Sequence, residues 1–95
     1  MESQLREKTH QYEEMLASAL TATVIRADLD EMGSRRAEEC DEMARAYLVD
    51  GRHFRETDDW PNALAAFSYG HGWLDAGIRI GLLDGPTPSV KSKED

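Results

Sequence analysis

Cysteine is almost absent from this chain. Cys40 stands alone, so no internal disulfide can form, and a reducing cytosol is the compartment expected. Long apolar runs are missing too. No stretch approaches the ~20 residues of a membrane-crossing helix. The opening MESQLREKTHQYEE is charged from the start and has no apolar centre, which argues against a secretory signal. Positive charge is scarce: 11 Lys and Arg face 19 Asp and Glu, for a net charge of −8. That balance argues against nucleic acid and anionic membrane as partners, because both recruit basic patches. Lysine is the rarest cation, with Lys8, Lys91 and Lys93 against eight arginines. An acid-rich, lysine-poor surface suits a high-salt cytoplasm. It also suits an ordinary acidic protein of pI near 4.8, and composition leaves both readings open. Strand-like alternation, internal repeats, HExxH, CxxC and a glycine-rich phosphate loop are all lacking.

What remains is helical periodicity, and 95 residues make one domain. A first helix is predicted over Ser3–Thr21, with Leu5, Thr9, Tyr12, Leu16, Ala19 and Leu20 on one face and Glu7, Glu13 and Glu14 opposite. The β-branched group Thr21, Thr23, Val24 and Ile25 should end it. A second helix starts at Asp28, which has capping-box spacing to Glu31, or at Ser34. Its stripe is Met32, Ala37, Cys40, Met43, Ala44, Tyr47, Leu48, Gly51 and Phe54. Glu38, Glu39, Asp41, Glu42, Arg45 and Arg52 form its wet face, and it ends by Thr57. Asp58 or Asp59 caps the third helix, where Pro61 is tolerated in the first turn. That helix is predicted over Trp60–Leu83, stopped by Asp84, Gly85 and Pro86. The expected architecture is all-α: a single-domain, three-helix up-down-up bundle over residues 1–85, followed by a disordered tail over 86–95.

The third helix is the most informative element. It carries Gly70, Gly72, Gly77 and Gly81, and each interior glycine costs roughly 1 kcal/mol against alanine. Trp60, Leu64, Phe67, His71, Leu74, Ile78 and Leu82 form its core-facing seam. Ala63, Ala66, Gly70, Gly77 and Gly81 form a flank of small residues that admits a close neighbour. That neighbour is helix 1, helix 2 or a second copy of the chain. Gly72 falls outside the flank.

His71 interrupts the apolar seam. One reading is a core histidine hydrogen-bonded to Tyr47 or Tyr12. Another pairs it with Asp75 at i+4, as a ligand site or a base with its orienting carboxylate, with Tyr47 completing the site. Ser68, His71 and Asp75 match a catalytic triad by residue type, but three side chains abreast on one helix do not converge as a triad does. No catalytic residue, metal or cofactor is assigned. Tyr69 and Trp73, four apart, make an aromatic pair that marks a contact surface if exposed. Gly70 and Gly77 are expected to share that surface.

Met43-Ala44, Tyr47, Asp50-Gly51, Phe54, Asn62-Ala63-Leu64-Ala65 and the run Ser68 to Gly77 resemble the archaeal domain-of-unknown-function family numbered 357. The resemblance covers Cys40 to Asp84. It implies a small helical bundle and an archaeal source, and it brings no reaction. The function expected is that of a cytoplasmic, non-enzymatic module for protein–protein interaction or self-association. The alternative is a ligand-binding or metal-dependent enzyme domain centred on His71 and Asp75.

Overall fold

The computed structural model describes residues 2–86. The expected tail over 86–95 lies outside them except for Pro86. Three helices dominate: α1 (Glu2–Ala22), α2 (Glu31–Glu56) and α3 (Trp60–Arg79). Contacts fix their directions. Gly51, Ala44 and Cys40, taken backwards along α2, meet Phe67, Gly70 and Gly77, taken forwards along α3. Those two helices are therefore antiparallel. His10 and Leu16 of α1 meet Trp60 and Gly70 in the same order, so α1 runs parallel to α3. The result is the up-down-up bundle, with α2 against α3 as its broadest contact.

Local chemistry sets most boundaries. Asp30, rather than Asp28 or Ser34, caps α2. Its carboxylate accepts from the Gly33 amide at 2.7 Å. Asp28 is instead held by the Arg26 guanidinium through two hydrogen bonds. The turn into α3 is the expected Thr57–Asp59. Asp58 takes a left-handed φ of 67°, and its carboxylate accepts from the Trp60 indole at 2.7 Å. Asp59 caps α3 through the amide and side chain of Asn62.

The third helix ends earlier than its periodicity predicts, at Arg79 rather than Leu83. Gly81 has a φ of 85°. The Gly81 amide donates to the Ile78 carbonyl, and the Leu82 amide to that of Gly77. This paired closure at a left-handed glycine is the Schellman arrangement. Gly81 is thus a terminator and not part of the packing flank. Beyond it, β2 (Leu83–Asp84) pairs antiparallel with β1 (Val24–Ile25). The sequence shows no strand pattern here, because two residues cannot show alternation and their partner lies far along the chain.

The core gathers Leu16, Leu20, Cys40, Phe67, Leu74 and Leu83 around small buried residues, Ala37, Ala44 and Ala63. Phe67 lies face-on to Gly51, where an added methyl group would overlap three atoms of its ring. Gly70 admits Leu16 from α1 and the Ala44 carbonyl from α2, and Gly77 admits Leu83 and Cys40. Two glycines of the small flank therefore serve close packing within the chain.

Glu13, expected on the wet face of the first helix, instead joins two helices. Its side chain is only 12% exposed. It accepts from Arg52 Nε at 2.7 Å and from Arg55 Nε at 2.9 Å and Nη2 at 3.2 Å. Burial pushes this carboxyl up, but the two guanidiniums outweigh it and hold the group below its ordinary range.

Candidate functional site

Two features of α3 carry the candidate chemistry, and they face opposite ways. On the inner side, His71 is 7% exposed. Its Nε2 lies 3.2 Å from the Tyr12 carbonyl of α1. A carbonyl only accepts, so Nε2 must carry the proton, and the neutral ring then leaves Nδ1 as a bare lone pair. Nδ1 is buried and meets no hydrogen-bond partner among the described residues. The Tyr12 ring stands edge-on to the imidazole, with centroids 5.6 Å apart. Burial pushes the His71 pKa down. The Tyr12 carbonyl and the more distant Asp75 carboxylate push the other way and do not compensate.

The residues predicted to complete a site with His71 are engaged elsewhere. Asp75 accepts from Arg79 Nε at 2.9 Å on the surface of α3. Tyr47 places its ring 5.5 Å from that of Tyr69. The expectation that Tyr12 or Tyr47 satisfies His71 resolves to Tyr12, through its backbone rather than its hydroxyl. No side-chain pattern could have signalled that bond. Ser68 turns its hydroxyl onto the Leu64 carbonyl of its own helix, on the exposed side away from the imidazole. The triad by residue type is therefore not assembled. Among the described residues no group of three or more His, Cys, Asp or Glu side chains gathers as a metal site would require. Cys40 is buried, and burial, helped by Glu39, pushes its thiol up and away from the reactive thiolate.

On the outer side, Ser68, Tyr69, Gly72, Trp73 and Ala76 line a shallow, mainly apolar groove along α3. Tyr69 is 62% exposed and Trp73 is half-buried against the core. The helix repeat explains why these side chains share a face: 72 and 73 each lie three or four residues from both 69 and 76. Gly72 forms the floor. A methyl group added there would meet nothing within 4 Å. It differs in this from Gly70 and Gly77, whose space other side chains of the same chain fill. Those two glycines are buried, so the predicted contact surface reduces to Tyr69 and Trp73, joined by Gly72.

The residues lining the groove are also uncharged. From Trp60 to Leu74 the sequence has no Asp, Glu, Lys or Arg, in a chain where 32% of residues are charged. Among the described residues no helix is long and apolar enough to cross a membrane.

Fold and face together define a small all-helical bundle with one uncharged aromatic groove and one buried, half-satisfied histidine. Residues 11–83 match the family described as "Protein of unknown function (DUF357)", and the chain belongs to that family. The match begins within α1, extending the resemblance seen from Cys40 onward. No curated protein and no solved structure matches the chain.

Proposed function

We propose that this protein is a non-enzymatic docking module of the cytoplasm of a salt-adapted archaeon, which binds another protein through the outer face of α3. The observation that carries the reading is the exposed Tyr69 beside Trp73 over Gly72, in a groove lined by no charged residue. Aromatic side chains with an open hollow between them supply the anchors and the pocket that protein interfaces use. The net charge of −8 and the scarcity of lysine support a protein partner over nucleic acid or an anionic membrane, and support the high-salt setting. The test is affinity capture at high salt with wild-type protein and Tyr69→Glu. A partner held by the wild type and released by the variant supports docking at this face. Identical capture by both would sink it.

A second reading, a ligand-binding or metal-dependent enzyme domain centred on His71 and Asp75, is favoured by the bare Nδ1 of His71. A buried acceptor without a donor is where a small ligand would bind. The engagement of Asp75 by Arg79 and of Tyr47 by Tyr69 weighs against it. If His71→Ala leaves every ligand-induced NMR shift of the protein unchanged, this reading fails.

A further inference from the structure

We infer that the occupant of the α3 groove is a second copy of the same chain, in a two-fold contact centred on Gly72. This inference rests on the docking reading and names its partner. The first argument is electrostatic. A chain of net charge −8 repels its own copy almost everywhere. The outer face of α3 is the exception: it carries no ionised side chain from Trp60 to Leu74, and the Asp75–Arg79 pair that follows is neutral as a unit. Two copies meeting there bring in only the paired Asp75 and keep their other carboxylates further out, where salt within a Debye length of ~8 Å screens them. A basic partner would gain little from a face whose one acid, Asp75, is already engaged by Arg79, and would be drawn to the carboxylates elsewhere.

The second argument is shape. A two-fold contact needs one patch that is both ridge and hollow, since the same surface appears on each side. Tyr69 and Trp73 are the ridges, and Gly72 is the hollow left open at 4 Å. Ser68 and Ala76 lie four residues to either side of Gly72 and keep the approach narrow. An antiparallel crossing at Gly72 sets Ser68 of one copy opposite Ala76 of the other, so nothing larger than a hydroxyl intervenes. The open glycine, otherwise a cost to an exposed helix, then has a use: it lets the two backbones approach.

Size bounds the strength. From Ala65 to Ile80 the face is about 22 Å long at 1.5 Å per residue. One helix stripe of that length falls short of the ~800 Å² per partner of a standard stable interface. The dimer is accordingly weak, with a dissociation constant on the order of 100 μM, and added salt strengthens it by screening the rim.

Sedimentation equilibrium from about 10 μM to 1 mM, at low and at molar NaCl, tests this. The wild type should pass from monomer to dimer over that range, at lower concentration in high salt. Tyr69→Glu should weaken the dimer at least tenfold. Gly72→Ala is the folding-safe control, because a methyl group there meets nothing within 4 Å in the monomer. It should raise Tm and yet shift the equilibrium towards monomer, two effects that no purely local role of Gly72 produces together. A wild type that stays monomeric at 1 mM in molar salt overturns the inference, as does a dimer that both variants leave unchanged. A monomer would leave docking to a different protein standing, since that reading fails only when capture is insensitive to Tyr69.

Discussion

At the scale of single residues, the glycines of this chain make opposite demands, and substitution separates them. Gly51→Ala drives a methyl group into the Phe67 ring, whose carbons lie well inside contact distance of the added atom. Both groups are held in a packed core, so the expected loss is about 1–3 kcal/mol, read by urea unfolding. His71 makes a prediction about pH. Its folded pKa is lowered, so the unfolded chain binds a proton more readily than the folded one. The stabilisation from a neutral His71 is therefore complete above the ordinary value of 6.5 and is lost as pH falls below it. The slope contributed by one such proton is at most ~1.4 kcal/mol per pH unit. His71→Gln should flatten the stability profile as pH falls below 6.5, relative to wild type. An unchanged profile would assign that slope to other groups. The burial of His71 was legible in the sequence from its place on the seam. Its partner was not, because a backbone carbonyl leaves no mark in side-chain spacing.

At the scale of elements, strong local signals were readable and distant pairings were not. Asp59 with Pro61 announces the start of α3, and the residues between Thr57 and Asp59 read correctly as the connection. The end of α3 misleads, because Ile78 and Leu82 keep helical spacing past the true stop. Only the backbone sign at Gly81 reveals that the helix closes there. Gly81→Ala forces a Cβ into that left-handed conformation, and the expected cost is about 1–2 kcal/mol, read as a lowered Tm. The wet face assigned to α1 fails at Glu13 for a related reason. Its partners Arg52 and Arg55 lie some forty residues onward, beyond any local pattern. Glu13→Gln leaves two guanidiniums facing a neutral amide at a largely buried position, and a loss of roughly 1–3 kcal/mol is expected at neutral pH. The sign with pH follows from the lowered carboxyl. Its contribution is present above the unfolded value of 4.5 and fades as pH falls through the folded value. The acid limb of wild-type unfolding should therefore be steeper than that of Glu13→Gln.

At the scale of the whole molecule, the division of α3 into an inner and an outer side organises both structure and proposed function. The inner side uses Gly70 and Gly77 to draw α1, α2 and the segment after the helix close together. The outer side carries Tyr69, Trp73 and an open Gly72 without charge. The sequence placed Ala63, Ala66, Gly70 and Gly77 of the small flank correctly and erred at Gly81, which ends the helix. It could not decide which glycines faced inward, because adjacent lines on one helix differ by a fraction of a turn. Labelling the single buried Cys40 checks the integrity of this arrangement. In the folded protein it should react with a thiol reagent many-fold more slowly than in urea, and rapid reaction in native buffer would show that α2 and α3 separate readily.

The short pairing of Val24–Ile25 with Leu83–Asp84 carries a consequence for how the protein is made. Leu83 is fully buried and fills the hollow over Gly77, while the Arg26 amide reaches the Leu82 carbonyl. The core therefore receives one of its last side chains from beyond the third helix. On a translating ribosome α1 and α2 emerge first, but they cannot seal their contact with α3 until Leu83 has cleared the exit tunnel. A chain that stops short of Leu83 leaves an apolar hollow over Gly77 for chaperones to recognise.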